Sequence, residues 1–170
     1  MRLRDRWDIL VDMPLGELRA PTALAYAVED QRSVGVSFFA LVADPKQPIR
    51  SAALGLGRMT KHNHVLTPVE IGTIDWPPAK QRCLAIIYER PAGGRLAGSA
   101  EQSIPPWSEE DIVDRIIAGL LPGLRALNVE GLTHRGIRPS NIFFRDAARR
   151  QAALGDCVTS LPARAPALGL

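Results

Sequence analysis

The chain has 170 residues, 46% of them apolar and 23% charged, with a formal net charge of +3. A chain of this size hides roughly 70% of its unfolded surface, so one domain with a real core is expected and a disordered chain is excluded. The 21 Lys and Arg are scattered among 18 acids instead of lining one stripe, which gives nucleic-acid binding no support.

The start, Met1 to Trp7, is charged without an apolar signal core behind it, and no later apolar run reaches the roughly 18 residues of a spanning helix. A soluble, cytoplasmic protein is expected. Residues 7–11 and 37–42 are β-branched or aromatic and bounded by Gly, Pro or Asp, so they read as strands of one sheet. Residues 21–28 stay open: Ala-rich composition favours helix, and the flanking strand signals favour sheet. Residues 50–59 place Ala52, Ala53, Leu56 and Met59 at helical spacing, in a short amphipathic helix weakened by Gly55 and Gly57. Strands follow at 67–74 and 82–88 around the turn at Pro77 and Pro78.

Ser108 stands where a helix cap belongs, followed by Glu109, Glu110 and Asp111 in the first turn, where carboxylates complement the helix dipole. Ile112, Ile116, Ile117, Leu120, Leu121, Leu124 and Leu127 continue an apolar face, with Pro122 expected to kink this longest helix. A polar loop at 132–141 leads to a hairpin of 142–144 with 152–154. The tail from 161 has no period and is expected to be loose. Cys83 and Cys157 lie far apart with no metal or redox spacing, and read as two reduced thiols.

This order of elements meets the segment 132–142, in which His134, Arg135, Pro139, Ser140 and Asn141 resemble a protein-kinase catalytic loop, His-Arg-Asp-x-Lys-x-x-Asn. Residues 86–96 resemble the hinge between kinase lobes, and Gly155 and Asp156 resemble the metal-binding Asp-Phe-Gly. The resemblance, to a bacterial-type pseudokinase, implies an α+β fold. It would comprise a kinase-like small lobe of antiparallel sheet plus a short helix, the hinge, and the first helix and hairpin of an incomplete large lobe. The implied organisation is a small lobe at 1–90, hinge and start of the large lobe at 91–160, and a tail at 161–170.

Phosphoryl transfer asks the protein for positioning and charge stabilisation from a Gly-rich loop, a Lys–Glu pair, a catalytic Asp and metal ligands. Measured against that requirement, the hairpin loop 13–20 offers only Gly16. Val42 falls at the lysine position and Ala53 at its glutamate, with Lys46 a cation a few residues away. Gly136 replaces the catalytic Asp, whose general-base contribution is on the order of 10²–10⁴ in rate. Arg138 replaces the loop lysine and keeps its charge in a planar fork. Asn141 and Asp156 are retained at the metal-ligand positions, while the same residue types also cap local backbone. By the same resemblance Tyr88 would guard the back of a nucleotide pocket, Glu89 would lie in the hinge as a nucleotide contact, and Arg95 would fall where many kinases place an acidic ribose contact.

The resemblance therefore implies a catalytically inactive regulatory or scaffolding module with no cofactor, which binds a protein partner or a second copy through the apolar helix 112–127. The alternative is a divergent ATP/Mg-dependent kinase or nucleotidyl-type transferase that uses Asn141 and Asp156. His62 and His64, two residues apart with no third ligand, do not read as a metal site, and His134 reads as a core histidine supporting its loop. One of Trp7, Trp76 and Trp107 could serve as an exposed anchor for a partner.

Overall fold

The computed structural model describes residues 1–33, 35–58, 61–97 and 106–159. The expected loose tail lies outside them, as does Met59 of the expected helix. Six strands form one antiparallel sheet: β1 (Arg2–Leu3), β2 (Trp7–Pro14), β3 (Ala23–Asp30), β4 (Phe38–Ala43), β5 (Glu70–Trp76) and β6 (Gln81–Glu89), in the spatial order β1-β2-β3-β4-β6-β5. A separate hairpin pairs β7 (Ile142–Phe144) with β8 (Ala152–Leu154).

The open segment resolves as a strand. β3 lies inside the sheet between β2 and β4, paired along its length from Ala23↔Ala43 to Val28↔Phe38. Ladder pairing on both sides outweighs the helical preference of alanine. The sheet curls until its two edges meet. Arg4 of the β1–β2 turn pairs with Glu70 of β5 at 3.4 Å and donates to the carbonyl of Ile71.

The alternation of side chains divides this curled sheet into two cores. Trp7, Ile9, Tyr26, Val28, Phe38, Ala40, Val42, Ile74, Trp76, Cys83, Ala85 and Ile87 fill the inside of the curl. Trp7 packs edge-on against Phe38, and Tyr26 against Trp76, each at 4.9 Å. On the outer face, Ala23, Ala25, Phe39, Leu41, Ile86 and Tyr88 pack against everything that follows. Ala53, Leu56, Ile116, Leu120, Leu127 and the β7–β8 hairpin belong to this second core, which is continuous across residue 90.

The expected short helix is present at Ser51–Arg58, as a 3-10 helix, tighter than an α-helix. Two glycines cost about 1 kcal/mol each of helical propensity, so the segment depends on the burial of Ala53 and Leu56, 0% and 2% exposed. The long helix begins as expected: the Ser108 hydroxyl accepts from the Asp111 amide at 3.0 Å. It runs as α1 (Glu109–Asp111), a π-helical turn (Ile112–Ile117) and α2 (Ala118–Val129). The irregularity falls in the turn ahead of Pro122, where Ala118 bonds back five residues to Val113. Gly123 lets this helix press on the 62–65 loop, because a Cβ there would overlap the carbonyl oxygen of His64. No helix among the described residues is long and apolar enough to cross a membrane.

Candidate functional site

The outer face of the sheet, the hairpin loop between β2 and β3, the 132–141 loop and the segment after β8 converge on one cleft. The 132–141 loop and the segment after β8, which resemble the kinase catalytic and metal loops, meet there. His134 is 2% exposed. Its Nδ1 accepts from the Gly136 amide at 3.1 Å, which leaves Nε2 to donate to the Gly155 carbonyl at 3.2 Å. Burial lowers its pKa below the ordinary imidazole value, against the opposing pull of the Gly155 carbonyl and the Asp156 carboxylate. The neutral ring is thus a buried splice between the two loops.

Asn141 bridges the same two segments from the other side. Its Nδ2 donates to the Gly136 carbonyl at 2.9 Å and to the Asp156 carbonyl at 2.7 Å. Gly155 makes this approach possible, since a Cβ there would overlap Asn141 Oδ1. Asp156 is 5% exposed. Its Oδ1 accepts from the Tyr88 hydroxyl at 2.7 Å and the Val158 amide at 3.0 Å, while Oδ2 accepts from the Thr159 amide at 2.9 Å and the Thr159 hydroxyl at 2.6 Å. Four protein donors thus satisfy the carboxylate. A buried carboxyl group with four donors anchors the local backbone. Among the described residues no group of three or more His, Cys, Asp and Glu could hold a metal ion.

The inner end of the cleft is filled. The hairpin loop turns Leu18 inward, 3% exposed, where a phosphate cradle would lie open. Leu18, Phe39, Leu41, Leu66, Tyr88 and Phe143 leave between them a void of about 10 Å³, no more than the room of one water. Phe39 and Tyr88 stack at 5.5 Å, and the phenol pKa is pushed well above its ordinary value by burial and by Asp156.

The remaining sequence-derived positions fall as follows. Val42 lies on the inner face of the curl, so Phe39 and Leu41 are the β4 side chains that look into the cleft. Strand parity separates them, because a one-residue shift exchanges the two faces. Lys46 sits exposed in the turn after β4. Ala53 is fully buried against the cleft face. Gly136 is buried, and Arg138 is half-buried at the cleft mouth. Glu89 pairs with Lys61 at 2.5 Å, on the wall of a separate cavity of about 100 Å³. His62 and His64 lie 5.9 Å apart, with His64 Nδ1 against the Ala152 carbonyl. Trp7 and Trp76 are buried, and Trp107 stacks on Phe144.

Two residues of the site carry no sequence signal. Arg50, at the entry to the short helix, donates to the carbonyls of Thr133, His134 and Cys157 at 2.8, 2.8 and 3.2 Å. It ties the sheet side of the cleft to both loops. Thr22, after the hairpin loop, donates its hydroxyl to the Thr159 carbonyl. Both make contacts across more than 80 residues of sequence, and only the fold brings those partners within reach.

No family model matches the chain, and no curated protein matches it. A solved structure does: the crystal structure of pseudokinase PEAK1 (Sugen Kinase 269), at 11% identity and a TM-score of 0.60 over 92% of this chain. The match spans 44% of that chain. Taken with the order of sheet, short helix, hinge, long helix and paired loops, the likeness shows that the fold of this chain is kinase-like.

Proposed function

We propose that this chain is a kinase-like module without phosphotransfer, a pseudokinase that works as a regulatory or scaffolding element by binding a second copy of itself. The observation that carries the reading is the saturated carboxylate of Asp156 beside a cleft filled by Leu18, Phe39, Leu41 and Tyr88. A nucleotide reaching Asp156 would have to displace packed side chains, and a magnesium ion there would have to compete with four donors that also hold the loop. The position of the missing base, Gly136, and of the missing lysine, now at Phe39 or Leu41, supports the same conclusion. PEAK1, named a pseudokinase, is a neighbour in fold. Two buried free thiols, Cys83 and Cys157, fit a reducing compartment, and the cytoplasm is the one we assign.

The apolar helix supports self-association. Val113, Ile117 and Leu121 follow at four-residue spacing and are 47%, 45% and 55% exposed, with Ile112 beside them at 40%. Apolar side chains exposed in a row mark interaction surfaces, and a two-fold axis would let this face meet the same face of a second copy.

A thermal-shift titration with ATP or ADP, with and without Mg²⁺, tests the first half of the reading. A ligand at about 100 times its dissociation constant adds about 2.7 kcal/mol, and no such shift is expected. A Mg²⁺-dependent ATP shift that disappears in Asp156→Asn would overturn it. Sedimentation equilibrium tests the second half: the parent chain should associate, and Ile117→Glu with Leu121→Glu should return it to a monomer.

A further inference from the structure

The inside of the curled sheet is closed at one end and open at the other. Leu3, Trp7 and Phe38 close the first end and are 8% exposed or less. At the second, Leu24 continues the inward row of Val28 and Tyr26 along β3, by the alternation of a strand. Those two are buried, whereas Leu24 is 55% exposed. A cavity of about 730 Å³ opens there and runs on to the 138–141 turn. Its volume lies within the roughly 300–1,000 Å³ of small-molecule sites, and the mouths of curled, closing sheets are a common place for them.

At the sheet end the wall is Leu24, Tyr26, Trp76, Ala79 and Cys83. These side chains stand on the face opposite Phe39 and Leu41, so the sheet lies between them and Asp156. One polar group interrupts this apolar wall. Tyr26 is 6% exposed, and its hydroxyl is neither sealed from solvent nor hydrogen-bonded to any described residue. Polar groups on side chains this deeply placed are as a rule hydrogen-bonded. Burial raises the pKa of the phenol, so at neutral pH it is a donor.

The charge at this end selects against an anion. Asp44 is the one carboxylate of the cavity wall, and it has no ion-pair partner among the described residues. Its Oδ1 accepts from the Lys46 amide at 2.9 Å. It also lies close enough to Cys83 to raise the thiol pKa, which burial raises further still. An apolar wall with one neutral donor, beside a carboxylate, suits an uncharged guest.

We infer that the open end of the curl is a binding site for a small uncharged molecule, whose apolar body covers Leu24 against Trp76, Ala79 and Cys83 and whose oxygen accepts a hydrogen bond from Tyr26. The inference rests on the inner face of the sheet and holds whether or not the chain self-associates or lacks phosphotransfer.

Equilibrium dialysis of the chain tests it with 2-acetylnaphthalene as the probe, 2-ethylnaphthalene as the analogue without the oxygen, and 2-naphthoate as the anion. Saturable one-to-one binding of 2-acetylnaphthalene is expected, with naphthoate weaker by roughly tenfold or more. Tyr26→Phe should weaken 2-acetylnaphthalene by about fivefold, the worth of one hydrogen bond, and leave 2-ethylnaphthalene unchanged. A purely structural role for the hydroxyl would move the two neutral probes alike. Leu24→Glu, a change at an exposed side chain, should weaken both by about tenfold or more. No saturable binding of 2-acetylnaphthalene, tighter binding of naphthoate, an equal effect of Tyr26→Phe on the two neutral probes, or unchanged affinity in Leu24→Glu would each overturn the proposal.

Discussion

The hydroxyl of Tyr88, at the end of β6, donates a 2.7 Å hydrogen bond to Oδ1 of Asp156, in the loop after β8. This contact joins the sheet to the segment that resembles a kinase metal loop, and it lies in the second core with both partners almost fully buried. It also decides what Asp156 does. A carboxylate committed to a phenol, a hydroxyl and two amides holds backbone in place, and its loss should be felt as stability. Asp156→Ala should cost about 3 kcal/mol, since the donors left behind are buried without a partner, and Tyr88→Phe about 1 kcal/mol. Urea unfolding measures both. Millimolar Mg²⁺ should move neither midpoint.

Arg50 makes a second such tie. Its guanidinium reaches three carbonyls of two loops, a geometry that a planar fork provides and an ammonium does not. Arg50→Ala should destabilise the chain by about 2 kcal/mol. Arg50→Lys should recover less than half of the loss. Hydrogen exchange of the 133–136 and 155–158 amides should rise in both variants, and a rise confined to the short helix would contradict the role given to Arg50.

Gly123 sets how closely α2 approaches the 62–65 loop. Gly123→Ala raises helical propensity, yet its methyl group meets a backbone carbonyl that cannot rotate away. The overlap should outweigh the propensity gain, for a net loss of about 1–3 kcal/mol. The opposite sign, a raised Tm, would mean that the helix and loop are free to separate.

His134 predicts a pH dependence. The charged groups that face it are Asp156, Arg50 and Arg138, and burial is the largest influence, so the folded ring resists protonation. The unfolded imidazole, near 6.5, then binds a proton that the folded one does not. Stability is full above that value and is lost as pH falls from it toward the lower folded pKa. His62, partly buried beside His64 and Arg145, has the same sign. Tm measured from pH 7.5 to 5.0 should therefore fall for the parent and fall less steeply for His134→Asn. Equal slopes would show that His134 titrates alike in both states.

Much of this fold is legible in the residues alone. The strands at 7–11, 37–42 and 82–88 announce themselves by β-branched and aromatic side chains, the hairpin by two short apolar runs, and the helix start by Ser108. Local chemistry decides such features within a few residues of sequence. The open segment 21–28 is not legible, because an Ala-rich stretch takes its conformation from the strands on either side, and those partners are distant in sequence. The side of β4 that faces the cleft is undecided for the same reason. Strand parity exchanges Val42 for Leu41 with a shift of one residue, and only pairing with β3 and β6 fixes the register.

The same division runs through the site. The sequence by itself carried the resemblance of His134, Asn141 and Asp156 to the kinase loops, with Gly136 at the position of the base, since residue identity and spacing are properties of the chain. The tertiary structure decided what the retained residues do. The Tyr88 donor to Asp156, the inward turn of Leu18 and the reach of Arg50 bring together segments tens of residues apart. Hydrogen bonds and ion contacts act over a few ångströms, so which groups meet depends on the packing of two cores and is not written in the order of the residues.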